Sequence, residues 1–174
     1  MENFRLIDPK SLQDNVFRML DDEWMLVTAG EAGYFNTMTA SWGGFGVIWN
    51  RPVAIALVRP QRYTRKFIDS YPAYTLSFFD EKHRNALNIC GSKSGRVSNK
   101  VEEAGLTSAT TEGGNLYFTE ARLVLECRKI YQDDFHEHLF LLPEIPKKFY
   151  PSKDLHRFYI GEITHAWERI PGKK

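Results

Sequence analysis

Apolar positions recur first at helical and then at alternating spacing. In PKSLQDNVFRML, residues 9–20, Leu12, Val16, Met19 and Leu20 recur at helical spacing and Ser11 can cap, which predicts a short helix. From Trp24 the pattern becomes short apolar or alternating runs, WMLVTAG, YFNTMTASW, VAIALVR and YTLSFF, divided by Gly, Pro and Asn. These predict strands. Residues 27–29 and 53–58 are apolar on both faces, as strands are inside a barrel or under helices, so a closed sheet is expected.

Helices are predicted over 64–71, 81–90 and 98–104, the last stopped by Gly105. Strands return at LYFTEARLVLEC, FHEHLFLL and HRFYIGEI, and the Pro- and Lys-rich residues 143–153 read as a loop. No repeat or linker divides residues 1–174, so one domain is expected. The order of elements predicts a mainly β fold, a Greek-key barrel with short peripheral helices.

Composition narrows the partners. Lys+Arg 23 against Asp+Glu 22 gives net charge +1, without the basic excess of nucleic-acid binders, so the expected partner is small. No apolar run approaches the roughly 18 residues needed to span a bilayer, and the charged opening MENFRLIDPK lacks the apolar stretch of an export signal. A soluble, cytoplasmic protein is the expectation, with no membrane partner. Cys90 and Cys127 form no CxxC pair and read as reduced core residues. The aromatic fraction, 14%, exceeds what a core of this size needs, which suits a flat ligand or a subunit interface.

Two segments carry candidate chemistry. In the strand from Tyr34 to Trp42, Thr37, Thr39 and Ser41 share one face. The stripe reads either as a solvated outer face or as a set of hydroxyls waiting for a polar ligand, and the glycine-rich run after it would let a ligand approach the backbone. The second segment is the turn Arg59-Pro60-Gln61-Arg62-Tyr63-Thr64 between a strand and a helix. Thr64 can cap that helix, whose first-turn N–H groups beside two arginines suit phosphate; two solvated arginines are the alternative.

The loop Cys90-Gly91-Ser92-Lys93-Ser94-Gly95-Arg96 lacks Walker A spacing and reads as a ligand or partner contact, or as a plain loop. His136 and His138 share a predicted strand face without a visible third ligand, so no metal site is expected. His156, at the head of HRFYIGEI, could stand beside a ligand as donor or proton carrier. Nothing resembles a Ser/His/Asp set.

Four stretches in order, NTMTASWGGFGVIWNRPVAIALVRPQRYT, CGSKSGRVSNKVEEAGL, LECRK and DLHRFYIGEI, resemble the flavin reductase-like family of the FMN-binding split-barrel fold, which includes flavoredoxin. The resemblance implies a homodimer of split barrels binding FMN non-covalently. Asn36, Thr37, Met38, Thr39, Ala40, Ser41 and Trp42 would line the isoalloxazine and ribityl chain. Arg59, Arg62, Tyr63 and Thr64 would hold the phosphate, with Ser92, Lys93 and Ser94 near it and His156 near the ring or the nicotinamide. The implied activity is electron transfer from NAD(P)H to flavin or another small acceptor. A flavoredoxin-like electron carrier without productive nicotinamide binding is the alternative. Residues 130–153 depart from the family pattern as a longer connection that bears on the shape of the substrate pocket.

Overall fold

The computed structural model describes residues 1–172. In chain order its elements are β1 (Phe4–Ile7), α1 (Val16–Arg18), β2 (Met25–Glu31), β3 (Tyr34–Ala40), β4 (Gly43–Ile48), β5 (Arg51–Val58), α2 (Thr64–Ser70), β6 (Ala73–Phe78) and α3 (Arg84–Ser92). There follow α4 (Lys100–Glu103), β7 (Ser108–Thr110), β8 (Leu116–Phe118), β9 (Leu123–Asp134), α5 (Glu144–Phe149) and β10 (Arg157–Arg169). Eight strands form one antiparallel sheet in the order β3-β2-β6-β9-β10-β5-β4, with β1 added beside β10; β7 and β8 form a separate hairpin.

The edges of this sheet are β3 and β4, which are neighbours in the chain with only Ser41 and Trp42 between them. Three peptide steps reach at most roughly 10 Å, so the sheet has to curl until its edges nearly meet. The result is a barrel closed by hydrogen bonds everywhere except along the β3/β4 seam. Gly43 belongs to that seam because a Cβ there would run into the Ile55 carbonyl oxygen on the neighbouring strand.

Two apolar clusters explain the unbroken hydrophobic runs. Met25, Val27, Met38, Ala54, Ala56, Leu76 and Leu125 fill one, while Leu26, Phe79, Leu87, Phe118 and Val124 pack in the other. Alternate residues of β2 and β9 therefore bury opposite faces, as the apolar runs in these strands predict.

Several expected elements differ. Ser11 caps nothing: Asp8 caps a 3-10 turn over Pro9–Ser11, and Asn15 accepts from Phe17 and Arg18 to start α1, which continues as a π-helical turn over Met19–Glu23. The stretch FHEHLFLL is not a strand. After β9 ends at Asp134, Glu137–Leu139 form a 3-10 turn, and the expected loop after it contains α5. Leu139, Leu141 and Leu142 are all exposed, so no apolar face directs this stretch into the sheet. Gly43–Ile48, a glycine-rich run for which the pattern predicts no strand, is β4; Trp49 and Asn50, at φ 53° and 57°, make the two-residue hairpin into β5. Gly105, at φ 65°, ends α4 as expected.

Candidate functional site

The seam positions the first cavity. The end of β3 and its link supply Met38, Thr39, Ala40, Ser41 and Trp42, the end of β5 supplies Leu57 and Arg59, and Arg62 and His156 complete a cavity of about 190 Å³. Trp42 is 40% exposed, and its ring lies 5.2 Å from that of His156 and edge-on to Phe149 at 5.5 Å. The outer edge of β3 has no neighbouring strand, so a ligand at the seam meets backbone as well as side chains.

The threonine stripe is neither solvated nor uniformly available. Thr37 is fully buried, shares a hydrogen bond of 2.8 Å with the Thr28 hydroxyl and donates to the Val27 carbonyl. Thr39 donates to the Leu87 carbonyl, tying β3 to α3. Of the stripe, Ser41 at its end keeps its hydroxyl beside the cavity with no hydrogen-bond partner among the described residues.

Arg62 connects this cavity to a second hollow of about 230 Å³ lined by Gln61, Arg62, Tyr63, Thr64, Ser92, Lys93, Ser94, Gly95, Arg96 and Lys100. Its Nη1 donates to the Gly91 carbonyl at 2.7 Å, but its Nη2 is buried and has no hydrogen-bond partner among the described residues. Burial lowers the pKa of this guanidinium below the ordinary arginine value, and among the described residues no carboxylate pairs with it. Such a group is costly to bury unless something anionic completes it. Lys100, 4% exposed, is a second buried cation; it donates to the carbonyls of Cys90 and Lys93, and burial brings its pKa down to about 8. Lys93 is ion-paired with Glu103, and Arg96 donates to the Gln61 carbonyl and covers the Tyr63 ring.

The turn after β5 differs from expectation in two respects. Thr64 does not cap α2: it is fully buried and its hydroxyl accepts from Asn36 Nδ2 at 2.7 Å, fastening β3 to α2. Gly95 packs onto that same Asn36, leaving no room for a Cβ, so the loop from Ser92 to Arg96 is seated on β3. Arg59 is already neutralised. It pairs with Asp154, donates to the Phe149 carbonyl and lies over the Tyr150 ring, so it clasps residues 149–154 against the cavity, in contrast to Arg62.

His156 is 8% exposed, with its Nδ1 2.9 Å from the Tyr150 hydroxyl. Burial, reinforced by Arg59, pulls its pKa down to about 4, so the ring is neutral at neutral pH and acts as a hydrogen-bonding group rather than a proton carrier. Because the folded value lies below the ordinary 6.5, the unfolded chain takes up the proton first. The stability is full above pH 6.5 and is lost as pH falls toward 4. His156→Gln is expected to flatten the dependence of unfolding free energy on pH in that window by up to about 1.4 kcal/mol per pH unit, measured by denaturant unfolding. An equally steep profile in the variant would show that other groups set it.

Of the residues expected from sequence, Met38, Thr39, Ala40, Ser41, Trp42, Arg59, Arg62 and His156 meet at the first cavity, and Arg62, Tyr63, Thr64, Ser92, Lys93 and Ser94 at the second. Asn36 lines a third hollow, and Thr37 lines none of the three. Gln61 and Arg96 stand in the turn and the loop singled out from sequence, whereas Leu57 and Lys100 were missed. Lys100 carries no sequence signal, since a lysine in a short charged helix normally faces water. His136 and His138 stand with ring centroids 5.8 Å apart at the 3-10 turn, and among the described residues no three His, Cys, Asp or Glu side chains group as a metal site.

An antiparallel barrel split between consecutive strands, with its cavity at the split, defines the split-barrel fold of flavin reductase-like proteins. The flavin reductase like domain model matches residues 18–173, and the chain belongs to that family. Among solved structures it is similar to the FMN-binding domain of a flavin reductases-like enzyme from Shewanella baltica OS155, with TM-score 0.69, 19% identity and coverage of 96% of this chain and 78% of that one. It is also similar to flavoredoxin from Methanosarcina acetivorans, with TM-score 0.67, 22% identity and coverage of 96% and 81%. A third is the NADH:FAD oxidoreductase of Streptomyces globisporus C-1027, with TM-score 0.65, 18% identity and coverage of 98% and 89%. No curated protein matches the chain in sequence. Among the described residues no helix is long and apolar enough to cross a membrane.

Proposed function

We propose that this chain binds the FMN moiety of a flavin across the seam and works as an oxidoreductase, passing electrons from NAD(P)H to flavin or another small acceptor. The single observation that carries the reading is the buried Arg62 Nη2 without a partner, in a hollow whose lining holds four cations and no carboxylate. A phosphate ester next to a flat ring system fits that pairing of cationic hollow and aromatic-walled cavity. Arg62, Ser94 and Lys100 would hold the phosphate, while Ser41, Trp42, Leu57 and the free edge of β3 would hold the ring.

The flavin, when bound, supplies the hydride- and electron-accepting chemistry. The chain's part is alignment and electrostatics. Trp42 offers a wall, the Ser41 hydroxyl and backbone N–H groups at the seam can donate to oxygens and nitrogens of the ring, and neutral His156 adds a polar group without adding charge.

One observation favours the flavoredoxin-like alternative. Residues 149–154 are clasped by Arg59 on the Trp42 side of the cavity, with Phe149 against Trp42, which narrows the space a nicotinamide would need. The two readings separate in one assay. Protein reconstituted with FMN is mixed with NADH or NADPH without oxygen; bleaching of the flavin absorbance on mixing is expected from a reductase. No bleaching by either nucleotide, with the flavin still bound, would exclude the reductase and leave the electron carrier.

A homodimer is part of the same proposal. β4 is an edge strand, and Val47, Trp49 and Tyr131 are exposed on and beside it. Such an edge is normally covered.

A further inference from the structure

Beyond the phosphate hollow lies a third, of about 570 Å³, lined by Tyr34, Phe35, Asn36, Tyr63, Phe67 and residues 95–101 with Gly33 at its rim. Tyr63, Gly95, Arg96 and Lys100 line both hollows, so the second adjoins the third just as it adjoins the first at Arg62. Three adjoining spaces thus run from the Trp42 cavity, through a cationic passage, to a hollow walled by aromatic rings.

The cations are spread along this passage rather than gathered at one point. Arg62 stands on the border with the first cavity, and Arg96 and Lys100 on the border with the third. Among the described residues none of the three is ion-paired with a carboxylate, whereas Lys93 is paired with Glu103. A monophosphate concentrates its charge on one phosphorus, while a diphosphate places one charge on each of two, which matches cations at both ends of a passage. The far hollow has the surfaces that receive a nucleobase. The Tyr34 ring packs on Phe67 at 5.0 Å, Tyr63 meets Phe67 edge-on at 5.2 Å, and the Arg96 guanidinium lies 4.7 Å over Tyr63. Aromatic rings and arginine planes stack on bases irrespective of sequence.

Resting on the flavin reading above, we propose that the chain's preferred flavin is the dinucleotide: the diphosphate lies along Arg62, Arg96 and Lys100, and the adenosine occupies the hollow between Tyr34, Tyr63 and residues 95–101. The same adenosine diphosphate chemistry occurs in a nicotinamide dinucleotide, and the experiment distinguishes the two sources. Apo-protein is titrated with FAD and with FMN under identical conditions, following flavin fluorescence, and ADP-ribose is titrated into the FMN-loaded protein. FAD is expected to bind at least about tenfold more tightly than FMN. Tyr34→Ala, at a side chain that lines the far hollow and neither of the other two, is expected to remove that preference while leaving FMN affinity within about twofold, and Tyr34→Phe, which keeps the ring on Phe67, to retain it. FAD binding no tighter than FMN overturns the proposal without touching the flavin reading, as does tight binding of ADP-ribose to the FMN-loaded protein. Failure of both flavins to bind overturns the two together.

Discussion

Arg62→Met is expected to weaken FMN binding by about 30- to 100-fold, corresponding to loss of one or two charge-assisted hydrogen bonds worth about 2–3 kcal/mol in all. The same change is expected to leave the apo-protein's unfolding free energy within about 1 kcal/mol of the wild type. The two expectations have one origin. In the free protein Arg62 gains a bond to the Gly91 carbonyl but bears a buried, unpartnered Nη2 and a desolvated charge, so losses and gains offset. In the flavin complex the phosphate would complete it, and methionine, of similar length, cannot. Isothermal titration and denaturant unfolding of the two proteins check both halves. Unchanged FMN affinity, or a loss of stability matching the loss of affinity, would remove Arg62 from the phosphate site.

Phe67→Ala is expected to do the reverse, lowering stability by about 3–5 kcal/mol, on the order of 10 °C in melting temperature. Phe67 is 2% exposed and belongs to the same apolar cluster as Met25, Val27 and Leu76, with Tyr34 and Tyr63 packed around it. It holds α2 against β2 and β3, and so fixes the turn that presents Arg62. Because Phe67 lines neither the Trp42 cavity nor the Arg62 hollow, FMN still binds the folded variant, and flavin at a hundred times its Kd should restore about 2.7 kcal/mol. Thermal melts with and without FMN test this. A melting temperature within a degree or two of the wild type would mean that α2 is not held by this ring.

The legible part of the molecule was the part set by local pattern. Apolar runs gave β2, β5, β6 and the start of β9, because these strands bury residues on both faces whatever lies beyond them. The seam was only half legible: glycines around Phe45 suggested close approach, but that Gly43 abuts the Ile55 carbonyl in a strand, not a turn, depends on which strand lies beside it. Arg59 and Arg62, three residues apart, look equivalent in sequence. Asp154, 95 positions from Arg59, makes them different by neutralising one and leaving the other bare. Lys100 was unreadable for the same reason, since its burial follows from the placement of α4 against the end of α3. The stretch from Phe135 to Leu142 misled in the opposite sense, because its apolar residues imitate a strand, while Leu139, Leu141 and Leu142 stay exposed and Phe135 and Phe140 are only half-buried.

If a flavin phosphate completes Arg62, the proof lies in the FMN and riboflavin affinities of the wild type and of Arg62→Met, since riboflavin presents the same ring without the phosphate. The wild type is expected to prefer FMN strongly, the variant to lose most of this preference, and riboflavin to bind both proteins alike. Equal preference for FMN in both proteins, or a parallel loss of riboflavin binding in the variant, would contradict it.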